Sequence, residues 1–331
     1  MSILSSLAPV AAIDSGTLSE AVLLVLVVAS VGAAVAARVL PPRYVSGPDR
    51  VPPGRPAWPL MAVLLGAVGV YFFTMSAYLS ARHVPTTAPA ASSPDLSLPD
   101  TAFVTTVPPL LGFIALLLGD RAVHETVGQD LGLDRRRLWP GILKGLWGGV
   151  IVIPPLFLLS EIMDMIYRAL HYEHPTEHPV LHALGERPGR LVTAALVVGA
   201  CVIAPLFEET LFRGHVQMLL RRAFFRLSGR GVRPPPPAGF EVIIPGVEAV
   251  LPPPLPAPVR PNAWQTWAAI LMTSALFALV HPAWSQPMIF ALGVALGYAY
   301  ERTGNLWVSI AIHAMFNSIS TAIFLAGLYS R

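Results

Sequence analysis

Apolar segments of about membrane-spanning length recur along this 331-residue chain, and no other feature constrains it more. A helix needs about 20 mostly apolar residues to cross the hydrocarbon core of a bilayer. Lipid offers backbone N–H and C=O groups no partner outside the segment itself, so such runs must be helical or close into a barrel. Eight segments qualify as helical spans: Glu20 to Ala37, Ala57 to Ser80, Ala102 to Gly119 and Leu138 to Ser160, then Leu191 to Leu220, Trp264 to Val280, Pro287 to Tyr300 and Leu306 to Gly327. The seventh is short. Composition agrees, with 54% hydrophobic and 12% charged residues, where soluble domains carry about 25% charged residues. The expected fold class is all-α, a polytopic membrane helix bundle of about eight transmembrane helices. Such a chain is a multi-pass integral protein with membrane lipid as its neighbour, expected in the cell inner membrane. Pro108-Pro109 and Pro154-Pro155 fall inside two spans and predict kinks.

Arginines set the expected orientation, because cytoplasmic loops carry the excess of positive charge. Arg38, Arg43, Arg50 and Arg55 follow span one. Arg121 and the run Arg135, Arg136, Arg137 follow span three, and Arg221, Arg222, Arg226, Arg230, Arg233 and Arg260 follow span five. The alternating bias places these three loops in the cytoplasm and both termini outside. Residues 83–100 read as an external Pro/Ser/Ala-rich linker, and the proline-rich loop at 228–263 reads as a stiff spacer. The chain divides into residues 1–190, with spans one to four and their linkers, and 191–331, which hold nearly all the polar residues found within spans. No basic run is interleaved with aromatics, so nucleic acid is not an expected partner. The one cysteine, Cys201, excludes an intramolecular disulfide. The N-terminal residues lack the pattern of a cleavable signal peptide.

Ionisable groups within spans are costly and mark functional sites by default. Lys144 lies near a span end and can snorkel. The others are Glu208, Glu209, Arg213 and His215 in span five, His281 at the end of span six, and His313 with Asn317 in span eight. Glu209 and Arg213 stand i,i+4 with the acid first, the favourable order for a helical pair. Glu208 lies about 100° around the helix and has no basic residue at i±3 or i±4, which makes it the candidate general base. His313 and Asn317 also stand i,i+4, so one face offers two donors for an oxyanion or a substrate carbonyl; for Asn317 alone, helix–helix bonding is an equal reading. His281, next to Pro282, is by itself a polar cap, and its neighbours in the pattern give it weight. His215 lies on the Glu208 face two turns on, and Cys201 shares that face as a small hydrophobe. Counted from the span ends, Glu208 lies about 20 Å deep, His281 about 25 Å and His313 about 13 Å. A broken sixth segment ending at His281-Pro282 would bring that histidine inward.

Glu208-Glu209-Thr-Leu-Phe-Arg213 has the form EExxxR, Phe277-Ala-Leu-Val-His281 the form FxxxH, and His313-Ala-Met-Phe-Asn317 the form HxxxN. In this order within membrane spans they resemble the CPBP family of intramembrane proteases, the CAAX prenyl proteases and bacteriocin-processing enzymes also called Abi. The resemblance covers Leu191 to Gly327. It implies hydrolysis of a peptide bond within the bilayer, on a peptide or prenylated protein substrate. By the same resemblance, Glu208 and His281 activate water, His313 and Asn317 stabilise the oxyanion, and Glu209 with Arg213 holds the first motif. Two versions of the chemistry fit the residues. Glu208, His281 and His313 supply the donors of a catalytic zinc site with an open position, although HExxH is absent; alternatively Glu208 is itself the base. The metal-free version is preferred, because a zinc-bound Glu208 leaves only Glu209, already paired with Arg213, as a nearby base. Two other readings stand beside proteolysis: an ion or proton transporter, and a non-catalytic immunity or scaffold member of the same fold. No internal repeat of the kind many transporters carry is present. The orientation predicts that tags on either terminus are digested by protease added outside and protected from protease on the cytoplasmic side; digestion from the cytoplasmic side would overturn it.

Overall fold

The computed structural model describes residues 15–36, 58–82, 96–123, 131–173, 178–227 and 263–329, and every regular element among them is helical. The helices are α1 (Ser15–Ala36), α2 (Trp58–Ala81), α3 (Leu98–Val123), α4 (Leu138–Ala169), α5 (Pro179–Gly185), α6 (Arg190–Leu227), α7 (Ala263–Leu279), α8 (Gln286–Thr303) and α9 (Leu306–Tyr329). All eight expected spans are helices, and the short α5 lies between the fourth and fifth. Five helices, α2, α3, α4, α6 and α9, are long and apolar enough to cross a membrane. The apolar stretches of α1 and α7 are shorter. Helices of this length and composition point to an integral membrane protein. Large apolar side chains point outward, among them Phe73, Trp139 and Leu143, as lipid-facing residues do.

Several boundaries differ from those expected. The linker reading for 83–100 ends early, because Leu98 already opens α3; residues 83–95 lie outside the described residues, as does the proline-rich loop up to residue 262. Helix α4 runs nine residues past the expected Ser160. Both α3 and α4 continue through their proline pairs as helices.

Hydrophobic cores cross the division at residue 190. Ile153 and Leu156 of α4 pack with Leu292 and Leu296 of α8 and with Val308, Ile312 and Phe316 of α9. Val63 and Ala67 of α2 and Leu116 of α3 close on Phe207 of α6. Helix α5 sets Val180, Ala183 and Leu184 against Ala102 of α3 and Leu196 of α6. The N-terminal helices thus form walls around α6 and α9.

The seam between α4 and α9 is made of glycine. Gly141, Gly145 and Gly149 recur every four residues on one face of α4, the small-xxx-small spacing that lets helix backbones approach in lipid. A Cβ built on Gly145 would lie 2.5 Å from the Ala311 Cβ and 2.7 Å from the Val308 carbonyl oxygen; on Gly141 it would lie 2.6 Å from the Trp307 Cβ. None of these neighbours is the far end of a flexible side chain. At the start of α9, Asn305 accepts the Trp307 N–H at 3.1 Å and donates to the Arg137 carbonyl at 3.0 Å, capping the helix and pinning it to the start of α4. Replacing Gly145 by valine forces the two helices apart and is expected to cost about 1–3 kcal/mol. The check is thermal unfolding in detergent, where an unchanged midpoint would contradict the seam.

Candidate active site

Helix α6 carries Glu208 and Glu209 between two π-helical stretches, Gly199–Ile203 and Thr210–Gln217, and Arg213 within the second. The first has a local cause. Pro205 has no N–H to give to the carbonyl four residues back, and the turn before it widens: the Ala204 N–H donates to the Gly199 carbonyl instead of that of Ala200. The Ala200 carbonyl released in this way accepts from the Asn317 amide at 2.8 Å. Such wide turns recur at functional sites, and here the one ordinary α turn between them, Ala204–Glu209, presents both glutamates.

Glu209 and Arg213 are fully buried and form an ion pair at 2.9 Å. The same glutamate oxygen, Oε1, lies 2.9 Å from His313 Nδ1. A carboxylate that already accepts from a guanidinium can only accept, so Nδ1 carries the hydrogen and Nε2 is the nitrogen left facing the site. That nitrogen lies 3.8 Å from Glu208 Oε2, beyond hydrogen-bond length, and the Glu208 side chain keeps 25% of its surface open where Glu209 has none. The two neighbouring glutamates therefore have different environments. One orients a histidine from behind, and the other stands in front of it. Arg213 also donates to the Gly293 carbonyl of α8 at 3.2 Å, and its guanidinium lies 4.5 Å from the centre of the Phe277 ring. Among the described residues, Glu209 Oε2 and Arg213 Nε lack a hydrogen-bond partner, as expected of atoms that bind buried water.

Phe277 joins the remaining parts. Its buried ring lies 4.8 Å from that of His281 and 5.7 Å from that of His313, edge-on to both. Helix α7 ends at Leu279, and the His281 N–H closes a turn onto the Ala278 carbonyl. This break folds His281 back over Phe277, with Nδ1 on the Phe277 carbonyl at 2.7 Å. Its Nδ1 therefore also carries a hydrogen, since a carbonyl oxygen only accepts. His281 reaches the site region through Phe277, whereas His313 is the imidazole directly beside Glu208. One of the two Asn317 N–H groups serves the Ala200 carbonyl, leaving one for another acceptor. Glu208, Glu209, Arg213 and His313 thus form one contiguous cluster, to which His281 is attached by Phe277 and Asn317 by the backbone of α6.

His215 stands apart from this cluster. In an unbroken α-helix it would lie on the face of Glu208, but the wide turn of Thr210–Gln217 rotates it off that face. Its Nε2 lies 3.0 Å from Asp120 of α3 and its Nδ1 2.8 Å from the Thr210 carbonyl. Cys201 is buried beside Thr321. A second charged group also escaped the sequence reading: Glu301 accepts from Arg221 at 2.9 Å and from Gln217 at 3.0 Å. Arg221, assigned above to the loop after span five, lies within α6 and is buried. Both Asp120 and Glu301 lie one residue past the expected ends of their spans, where ionisable groups attract no notice. Phe277 and Gly293 left no polar signal at all.

The zinc donor set Glu208, His281 and His313 is not assembled as three convergent ligands. No group of three or more His, Cys, Asp or Glu side chains is disposed to hold a metal among the described residues. Glu208 and His313 supply two donors, with Glu209 behind His313 as an outer-shell carboxylate, and His281 has its Nδ1 held by the Phe277 carbonyl. Removing Arg213 leaves a buried carboxylate unpaired, which costs about 3–5 kcal/mol. Arg213→Ala is therefore expected to give little folded protein or a melting temperature several degrees lower in detergent. Wild-type melting would show the pair to be dispensable.

Residues 190–319 match a family model described as type II CAAX prenyl endopeptidase Rce1-like. No curated protein and no solved structure matches the chain. The matched region contains all three motifs, in agreement with the resemblance carried by those residues. It is this region, residues 190–319, with the glutamate, histidine and asparagine residues it places around α6, α7 and α9, that is similar to the Rce1-like type II CAAX prenyl endopeptidases.

Proposed function

We propose that this protein is a CAAX-type intramembrane endopeptidase, acting on a membrane-associated peptide or prenylated protein from within the inner membrane, and that Glu208 is its general base. The observation that carries this reading is the contrast between the two glutamates. Glu209 is buried and held by Arg213 and His313, while Glu208 is partly open and faces His313 Nε2 at 3.8 Å. At that distance the two groups are not bonded to each other, and a water molecule seated beside them would reach both.

In this mechanism Glu208 takes a proton from water as the water oxygen attacks the scissile carbonyl carbon. The carbonyl oxygen gains negative charge. When the carbon–nitrogen bond breaks, the proton passes from Glu208 to the leaving amine, so that acid and amine products balance the water consumed. His313, fixed in one tautomer by Glu209, is the polar group nearest the attacking oxygen, and the N–H of Asn317 not given to Ala200 is a donor for the oxyanion. His281, anchored on the Phe277 carbonyl, presents its other nitrogen to the same reaction. In this reading Glu208 is itself the base, and no step is routed through a metal.

Glu208→Gln and His281→Ala are expected to lower cleavage of a quenched fluorogenic farnesylated CaaX peptide by at least ~100-fold, the lower bound of general acid–base contributions. Their melting temperatures should stay near that of the wild type, and a zinc chelator should leave wild-type cleavage unchanged. Full activity in Glu208→Gln would remove the base from the mechanism. Loss of activity with chelator, restored by added zinc, would replace the metal-free chemistry.

A further inference from the structure

The chemistry above leaves one buried ionisable pair unused. Asp120, near the end of α3, and His215, in the second wide turn of α6, are both buried, with Asp120 Oδ1 3.0 Å from His215 Nε2. The other ring nitrogen, Nδ1, lies 2.8 Å from the Thr210 carbonyl oxygen and so carries a hydrogen. One further hydrogen then lies between Nε2 and Asp120 Oδ1, because a bare ring nitrogen and a carboxylate oxygen repel each other. The imidazole is therefore fixed at both nitrogens.

The span of the bond to Thr210 sets it apart. His281 donates to the carbonyl four residues back, that of Phe277, whereas His215 donates to the carbonyl five residues back. Four residues is the interval of an α turn and five that of a π turn, so the His215 side chain bridges the wide turn that begins at Thr210. Arg213 lies inside that bridge. From there it reaches Glu209 Oε1 at 2.9 Å and the Gly293 carbonyl at 3.2 Å, and the same Oε1 lies 2.9 Å from His313 Nδ1. A chain of contacts thus runs from Asp120 through His215 and the turn to the histidine that faces Glu208. Net stability is a poor reason to keep such a pair, since apolar residues of similar volume often replace a buried ion pair without loss.

We infer that Asp120 and His215 are positioning residues for the Glu208 site, the imidazole holding the wide turn that sets Arg213 between Glu209 and the Gly293 carbonyl, and Asp120 holding the imidazole. The inference rests on the proteolytic reading of that site. Neither residue touches the reacting atoms, and their effect reaches His313 through Glu209. Without the bridge the turn relaxes towards 3.6 residues, and the angle of Arg213 about the helix axis changes. Glu209 then loses the arrangement in which one oxygen serves both Arg213 and His313, and His313 is no longer held with its hydrogen on Nδ1.

Two measurements on the detergent-purified full chain test this. The first is cleavage of the farnesylated CaaX peptide by wild type, by Asp120→Asn and by the double variant Asp120→Leu/His215→Phe, which leaves no buried charge alone. The double variant should melt near the wild-type temperature. Its kcat should fall about 10–100-fold, as when a site is displaced by roughly an ångström, with KM changed by less than about twofold. Asp120→Asn, whose amide donates to Nε2 while Nδ1 stays on Thr210, should keep kcat within about threefold of wild type. Wild-type kcat in the double variant would overturn the inference, as would a loss of kcat no larger than the loss of folded protein. The second measurement, nitrogen NMR of isotope-labelled histidines, needs no turnover. His313 of the wild type, identified by its absence in His313→Gln, should carry hydrogen on Nδ1 alone, and the double variant should show a mixture of tautomers. The wild-type pattern in the double variant would overturn the inference. A tautomer change in the double variant, with no cleavage by the wild type, would refute the proteolytic reading and leave the positioning of His313 by this pair standing.

Discussion

One carboxylate oxygen, Oε1 of Glu209, holds three helices in register. It accepts from Arg213 within its own helix and lies against His313 of α9, and Arg213 in turn reaches the Gly293 carbonyl of α8. Every one of these polar groups is taken out of water, and burying a charge is tolerable only when it is paired and hydrogen-bonded. The interaction is thus less a source of net stability than a requirement that few packings can meet. Any arrangement of α6, α8 and α9 that separates the three groups leaves a charge unsatisfied in the interior. That requirement fixes the rotation of α6, and the rotation of α6 decides where Glu208 points.

The cluster divides work between adjacent residues of one helix turn. Glu209 has all of its surface buried and Glu208 a quarter of it open. Two carboxylates side by side on a chain ordinarily repel; here the neighbouring arginine and histidine compensate the inner one, so the outer one is left for chemistry. The wide turns on both sides of Ala204–Glu209 serve the same end. They free the Ala200 carbonyl for Asn317 and turn His215 towards Asp120, which clears the Glu208 face of a competing imidazole.

Much of this was legible in the sequence. Apolar run length located the helices, five of which are long and apolar enough to cross a membrane, because lipid enforces backbone pairing within the segment, and the i,i+4 spacing of Glu209 and Arg213 identified their pair. The placement of His215 was not legible. Spacing arguments assume 3.6 residues per turn, and the π-helical stretch Thr210–Gln217 breaks that assumption at the position where it was applied. Asp120 and Glu301 were missed for a different reason: they sit just beyond the apolar windows, yet the helices extend past those windows and bury them. The role of Phe277 as the link between His281 and His313 is a matter of packing, which no pattern of polar residues announces.

The glycine face of α4 has a mechanical consequence. At Gly141 and Gly145 the α4 backbone is set directly against Trp307, Val308 and Ala311, with no room for a side chain, and sliding α9 along α4 there would drive atoms into contact distances they do not adopt. His313 and Asn317 are therefore mounted on the stiff side of the bundle. The opposite side is held through side chains instead: α2 meets α6 through the stacked rings of Tyr71 and Phe207, and α7 meets α6 through Phe212 and Phe277.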